Sequence, residues 1–317
     1  MAELNAKEGR RRDRKNRWTM SILQVTRALD VKAELGECPL WCVEEQCLYW
    51  LDILGSTINR FDPRSGNNSV WSLPAVPGCF AFRDGGGAVI AAQDGMYDIT
   101  FATGHIERVY ASAHDPRRLR FNDGRTDREG RLWVGTVRAD KGVDIAETAY
   151  YKFDGRSIEK MIASIGTANG TAFSPDGKTM YRAQTLDRLI FAYDYDSATG
   201  TPSRERVFAA VPSDLGMPDG ATVDTESGYW VALLAGPRGG KAGIARYTPD
   251  GRLDLYVEVP VPLPTMVAFG GADMSMLFVT SGRMQDWVKY KVPDAAGSIF
   301  CVQTSFRGVP ETKFHYV

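Results

Sequence analysis

Four side chains that carry an oxygen acceptor stand at matching positions in the chain, about 9 to 11 residues before a short apolar or aromatic segment. Glycine or methionine fills the same position twice more, so that the six occupants are Glu37, Gly78, Asn122, Asn169, Asp219 and Met266. Two carboxylates and one or two amide oxygens form an all-oxygen ligand set, which suits a hard divalent cation. Asn or Asp followed by Gly can instead form simple turns. The shared position, and a glutamate among the four, favour a common site.

The chemistry of the ligands narrows the choice of ion. Oxygen ligands favour Ca²⁺, with Mg²⁺, Mn²⁺ and Zn²⁺ as alternatives. The three histidines, His105, His114 and His315, are scattered with no common register, so a three-histidine zinc site is not indicated. Without a cation, two carboxylates in a narrow channel would repel each other, and one would tend to hold a proton. A bound cation removes that repulsion.

A repeated structural unit must position these residues. Six short segments rich in aromatic and aliphatic residues recur at steps of roughly 40 to 50 residues, at 48–50, 88–90, 132–134, 180–182, 229–231 and 277–279. Turns rich in Asp, Gly and Pro separate the strands of each unit. This period is typical of β-propeller blades. The predicted fold is all-β, a six-bladed β-propeller of four-stranded antiparallel blades, in which equivalent positions of the blades meet at a central channel.

The two ends of the chain bear on the domain organisation. The sixth unit shows no obvious fourth strand, and segment 22–26 stands at the spacing of an outer strand before the first unit. We therefore predict that this N-terminal strand completes the sixth blade and closes the ring. Residues 21–317 form a single propeller domain. Residues 1–20 form a basic extension, which we predict to be disordered. The alternatives are an arm that binds nucleic acid or a membrane, and a start codon that is placed too far upstream.

Composition excludes several classes of function. A net charge of −1 offers no general attraction to nucleic acid. No apolar run approaches the roughly 20 residues that cross a bilayer, so no membrane partner is expected. The five cysteines are an odd number without metal-binding spacing, which favours a reducing compartment and a cytoplasmic location. We expect a monomer or a weak homo-oligomer.

Four motifs stand in order at the blade spacing. They are L-G-E-C-P-L-W at 35–41, R-F-N-D-G at 120–124 with G-R-L-W-V-G-T at 130–136, N-G at 169–170 with S-P-D-G at 174–177, and M-P-D-G at 217–220. Together they resemble the motifs of the gluconolactonase, regucalcin (senescence marker protein) and luciferin-regenerating-enzyme family. The resemblance extends from about residue 22 to the C-terminus.

The resemblance implies a function and a set of site residues. It implies a six-bladed propeller that binds one divalent metal through Glu37, Asn169 and Asp219. It also implies that Arg120 and Asn122 hold the substrate, a small sugar lactone that is hydrolysed to the free acid. Asp219 is the candidate general base, because a carboxylate on the metal lies within reach of a bound water.

Three departures from the family motifs concern the substrate more than the chemistry. Cys38 replaces a small residue, Gln184 stands where many relatives have aspartate, and Asp140 is the nearest match to an acidic residue of the regucalcin type. Two alternative functions remain open. One is a non-catalytic binding scaffold stabilised by a metal, and the other is an esterase or organophosphate hydrolase on the same fold.

Overall fold

The computed structural model describes residues 9–12, 18–21, 23–139, 145–235, 239–284 and 292–316. Within these ranges the regular structure is β-strand, apart from two short 3-10 turns, η1 (Ile145–Glu147) and η2 (Thr185–Asp187). None of the helical segments in these ranges has the length and apolar character that a bilayer crossing requires. The strands in chain order are β1 (Gly9–Arg12), β2 (Trp18–Ser21), β3 (Val25–Leu29), β4 (Gly36–Cys42), β5 (Cys47–Asp52), β6 (Thr57–Phe61), β7 (Asn68–Ser72), β8 (Pro77–Phe82), β9 (Ala88–Ala92), β10 (Gly95–Thr100), β11 (His105–Ala111), β12 (Leu119–Thr126), β13 (Leu132–Arg138), β14 (Ala149–Phe153), β15 (Ile158–Ala163), β16 (Asn169–Phe173), β17 (Thr179–Gln184), β18 (Leu189–Asp196), β19 (Thr201–Ala210), β20 (Met217–Val223), β21 (Tyr229–Leu234), β22 (Gly243–Tyr247), β23 (Leu253–Glu258), β24 (Pro264–Gly270), β25 (Met276–Ser281) and β26 (Ile299–Gln303).

These strands form six antiparallel sheets, which are the blades of a propeller. From the inner to the outer strand the blades are β4 to β7, β8 to β11, β12 to β15, β16 to β19, β20 to β23, and β24, β25, β26 and β3. Each inner strand contacts the inner strands on both sides, so the ring is closed. The segments predicted from the repeat lie in the second strand of each blade. The structure confirms the predicted fold class.

The N-terminal strand closes the ring, as predicted. β3 pairs antiparallel with β26 and is the outer strand of the sixth blade. It begins and ends three residues later than the predicted segment 22–26. Because residues from both ends of the chain share one sheet, the sixth blade ties the two ends together and covers the edge that β26 would otherwise expose.

Part of the basic extension is also described. β1 and β2 form a hairpin, and β1 pairs with β23 at the outer edge of the fifth blade, so that this sheet has six strands. Residues 1–8, 13–17 and 22 lie outside the described ranges. The division of the chain at residue 20 stays a prediction.

The aromatic residues of the second strands form the cores between blades. Trp133 and Trp230 are almost completely buried, and each indole N–H donates to a polar partner within 2.8 Å, the Tyr195 hydroxyl and the Asp224 carboxylate respectively. Burial of an indole removes a large apolar area from water, but an N–H that is buried without a hydrogen-bond partner would offset part of that gain in stability. The aromatic second strand predicted from the sequence is therefore the packing layer of each blade.

The C-terminal segment 304–316 lies against the ends of three inner strands, with contacts to Arg83 after β8, Thr126 on β12 and Asp224 after β20. Phe314 is buried and stacks on Phe153, with ring centroids 5.3 Å apart. Glu311 lies 3.4 Å from the guanidinium of Arg125 on β12, which is 3% exposed. This segment therefore contributes a charged residue to the interior of the channel.

Candidate active site

Every inner strand carries an irregularity at the same height in the channel. The register of pairing with the second strand shifts between Glu37 and Leu40 on β4, Pro77 and Cys79 on β8, Phe121 and Gly124 on β12, Asn169 and Ala172 on β16, Pro218 and Ala221 on β20, and Pro264 and Val267 on β24. Bulges of this kind redirect a side chain and are common beside active sites. The predicted site residues lie in or directly beside these bulges. The alternative that their Asn-Gly and Asp-Gly pairs form simple turns is wrong, because the pairs lie within strands.

The bulge of the fourth blade needs a glycine. Gly170 has a φ of +63°, a backbone conformation that L side chains rarely adopt. A Cβ there would lie 2.4 Å from the Tyr229 hydroxyl oxygen. That hydroxyl donates to the Gly170 carbonyl at 2.8 Å, so the close approach satisfies a buried backbone acceptor. The Asn169-Gly170 pair is thus required by the backbone that presents Asn169.

A chain of hydrogen bonds joins three of the predicted residues. The guanidinium of Arg120 donates to the side-chain oxygen of Asn122 at 2.8 Å. The amide nitrogen of Asn122 donates to the side-chain oxygen of Asn169 at 2.8 Å, and that of Asn169 donates to the Thr185 hydroxyl at 2.8 Å. The predicted substrate-binding pair and one predicted metal ligand therefore form one network, and Thr185 orients it from the 3-10 turn η2.

Negative charge converges on the same place. Burial raises the pKa of Glu37 to about 8, and the nearby carboxylate of Asp123 adds to that rise. Burial also raises the pKa of Asp219 well above its usual range, with repulsion from Glu37 and Asp123 adding to it. Arg120 opposes both shifts, while its own burial lowers its pKa to about 10. The two predicted carboxylate ligands are thus close enough to disfavour each other's ionised form.

The oxygen atoms present suit a hard cation. Within the described part of the chain no hydrogen-bond donor lies on the Asp219 carboxylate, although this residue is only 6% exposed. No three His, Cys, Asp or Glu side chains of the described residues are grouped so that they alone could hold an ion. A cation would therefore use the amide oxygen of Asn169 together with Glu37 and Asp219. The unsatisfied carboxylate and the mutual repulsion both fit a divalent cation.

Two charged residues of the channel were missed by the sequence reasoning. Asp123 follows Asn122 on β12 and is 7% exposed, and Arg125 lies two residues further on. Asp123 was visible within the Asn-Asp-Gly motif and was given no role there. The available signal was a pair of charges on an inner strand that is otherwise buried, since buried charges require specific partners.

The departures from the family motifs have local explanations. Cys38 is buried with φ +46°, and its thiol accepts the N–H of Phe80 at 3.4 Å, so it packs between two blades. Gln184 accepts from Arg182 at 3.1 Å and donates to the carboxylate of Asp187. A carboxylate therefore stands three residues beyond the position at which the resemblance to the family leads one to expect it. Asp140 lies outside the described residues.

The structure belongs to the class of six-bladed propellers that carry a network of carboxylates and amides in the channel. Comparison of the sequence shows which family of that class the chain belongs to. The family model described as "SMP-30/Gluconolactonase/LRE-like region" matches residues 35–283. The chain belongs to this family, which confirms the resemblance drawn from the four motifs.

Known relatives match over nearly their whole length. A 6-deoxy-6-sulfogluconolactonase from Pseudomonas putida is 36% identical, with 88% of this chain and 94% of the relative covered. An L-arabinolactonase from Azospirillum brasilense is 31% identical, with 92% and 95% covered. Among solved structures, the calcium-binding protein regucalcin from Agrobacterium tumefaciens is 28% identical with a TM-score of 0.82, over 91% of this chain and 96% of that one.

Proposed function

We propose that this protein is a divalent-cation-dependent hydrolase that opens sugar lactones to the free acids. The observation that carries the proposal is the network in the channel, in which Arg120, Asn122 and Asn169 are bonded in series beside two repelling carboxylates. The names of the two lactonase relatives support the substrate class, and that of the regucalcin structure supports Ca²⁺. A cytoplasmic location and a monomer or weak homo-oligomer belong to the same proposal.

Each residue has a proposed task in the reaction. Glu37, Asn169 and Asp219 would hold the cation, which when bound supplies Lewis-acid polarisation of the lactone carbonyl. Arg120 donates hydrogen bonds to oxygens of the sugar. Both amide hydrogens of Asn122 are bonded within the protein, so its side-chain oxygen accepts from a sugar hydroxyl, and the pair holds the ring in place. Asp219 takes the proton of the attacking water, and the proton passes to the ring oxygen as the ester C–O bond breaks. A carboxylate that would hold the cation lies within reach of a water held beside it, which suits the role of general base.

A panel of lactones tests the proposal. Chelator-treated full-length protein is mixed with γ- and δ-lactones of gluconate, xylonate, arabinonate and galactonate, and acid release is followed with and without Ca²⁺, Mg²⁺, Mn²⁺ or Zn²⁺. We expect hydrolysis of at least one lactone that depends on an added cation. Rates no higher than background for every lactone would rule out the proposed lactonase activity. A preference for aryl esters or phosphotriesters would reassign the substrate class.

Cation binding is expected to depend on pH. Because the pKa of Glu37 is raised to about 8 in the folded protein, protonation of this group favours the folded state. Its contribution to the free energy of unfolding is complete below the usual pKa of glutamate, and it is lost as the pH rises through about 8. A cation must displace the proton held on Glu37, and a further one where Asp219 is also protonated. Its apparent affinity should therefore rise by at least about tenfold per pH unit from pH 6 and level off near pH 8. Calorimetric titration with Ca²⁺ at several pH values measures this.

The matched variant for this prediction is Glu37→Gln, which has no proton to lose at this position. We expect it to bind Ca²⁺ more weakly and with a shallower pH dependence. An affinity of the wild-type protein that stays constant from pH 6 to pH 8 would contradict the assignment of Glu37 as a protonated ligand.

A further inference from the structure

Two charged residues on β12, Asp123 and Arg125, are buried in the channel and have no task in the proposed chemistry. They are two residues apart on an inner strand, Asp123 in its bulge and Arg125 just after it. Burying a charge is unfavourable unless specific partners compensate it. Their partners therefore indicate what the two residues are for.

Asp123 binds the backbone of the next blade. One of its carboxylate oxygens accepts the N–H of Thr171 at 2.7 Å. Thr171 lies within the bulge of β16, two residues after Asn169. Its other carboxylate oxygen is buried without a partner among the described residues. The contact holds the backbone that presents the Asn169 side chain.

Arg125 makes the equivalent contacts to two other blades. Its guanidinium donates to the carbonyl of Ala221 at 3.0 Å and to that of Pro39 at 3.4 Å. Ala221 lies two residues after Asp219, and Pro39 lies two residues after Glu37. The guanidinium also donates to the carbonyl of Val267 in the sixth blade at 3.3 Å.

The three predicted ligands, Glu37, Asn169 and Asp219, therefore share one arrangement of contacts. Two residues after each of them, a backbone group is held by one of two side chains on β12. The bulges are the places at which the inner strands lose pairing with their own blades, so their backbone needs other partners.

We propose that Asp123 and Arg125 are positioning residues that hold the bulges of three other blades and so set the relative placement of Glu37, Asn169 and Asp219. The inference rests on the proposed function, because it takes these three residues to be the ligands of a cation. Glu311 of the C-terminal segment pairs with the guanidinium of Arg125 at 3.4 Å. The fork of the guanidinium is essential, since one residue must reach carbonyls on three blades at once.

Calcium titration of the full-length protein by calorimetry, after chelator treatment, tests the proposal. Asp123→Ala and Arg125→Lys should each weaken Ca²⁺ binding by about 10- to 100-fold, the usual effect of removing a group that orients a ligand. Asp123→Asn should lose less affinity than Asp123→Ala, because its amide oxygen can still accept the Thr171 N–H.

A double variant separates positioning from a general loss of structure. If Asp123 acts through Asn169, then Asp123→Ala combined with Asn169→Ala should bind Ca²⁺ no more weakly than Asn169→Ala alone. The matched control is Asp127→Asn. Asp127 is completely buried just beyond β12, where it binds Arg131 and Tyr195 at 2.7 and 2.6 Å. This variant should lower the melting temperature and leave Ca²⁺ affinity unchanged.

The outcomes distinguish this proposal from the proposed function. If the wild-type protein binds no Ca²⁺, the cation site fails and the positioning role fails with it. A second outcome is that the wild type binds Ca²⁺ while the losses of affinity caused by Asp123→Ala and Asn169→Ala add up in the double variant. In that case only the positioning role of Asp123 is overturned. Should Asp123→Ala not fold, wild-type affinity in folded Arg125→Lys would overturn the proposal.

Discussion

Replacing Asp219 by asparagine is expected to lower kcat/KM for lactone hydrolysis by about 100- to 10,000-fold, the range that a positioned general base contributes. The same change should stabilise the fold. Asp219 is buried beside Glu37 and Asp123, and both carboxylates disfavour its ionised form. Asparagine keeps the shape without the charge, so the free energy of unfolding of the cation-free protein at pH 8 should rise by about 1 kcal/mol. Activity is measured with the lactone of the panel that reacts fastest, and stability by urea denaturation.

The control for Asp219→Asn is Asp224→Asn in the same blade. Asp224 is completely buried, and its carboxylate accepts from Arg246 at 2.7 Å and from the Trp230 indole at 2.8 Å. Its replacement leaves the buried Arg246 with one charge partner fewer, so stability should fall while activity at low temperature stays. Wild-type kcat/KM in Asp219→Asn would remove Asp219 from the mechanism.

Replacing Glu311 by alanine is expected to lower the free energy of unfolding by about 1 to 3 kcal/mol, the cost of leaving a buried charged group with one partner fewer. The guanidinium of Arg125 is 3% exposed and lies 3.4 Å from Glu311. Without that carboxylate, its charge stays in the channel with backbone carbonyls and the other channel carboxylates as partners. Urea denaturation of the cation-free protein measures the change.

The same C-terminal segment offers a matched comparison. Lys313 pairs with Glu44 at 2.6 Å, but the two side chains are 38% and 62% exposed. Solvent screens such a pair, so Glu44→Ala should cost less than about 1 kcal/mol. A loss of that small size in Glu311→Ala as well would show that the carbonyls already satisfy Arg125 and that the C-terminal segment only covers the channel.

Most of the fold could be predicted from the sequence because its signals are local. Blade period, turn residues and the aromatic second strand each depend on residues close together in the chain, and each follows from the packing of a four-stranded blade. The missing fourth strand of the sixth unit also predicted correctly that β3 closes the ring. The error in its ends, three residues each, reflects the weak signal of a short outer strand.

The candidate site could be predicted only in part. The repeat register identified Glu37, Asn122, Asn169 and Asp219, because equivalent positions of a propeller share one channel. Arg120 was identified by its motif. That these residues bind a cation and a lactone stays a prediction. The bulges were not predicted, because a bulge depends on how two strands pair. The signal in the sequence is only a glycine, such as Gly170 or Gly220.

The sequence by itself determined the number of blades, the closure of the ring and the shared position of Glu37, Asn169 and Asp219 on the inner strands. Only the tertiary structure decided which side chains bond to the backbone beside these residues. Arg125 reaches carbonyls that are 86, 96 and 142 positions away in the chain, and Glu311 reaches Arg125 from the C-terminal segment. Such contacts have no period and no local pattern, because they depend on side chains crossing a channel that exists only after the ring has closed.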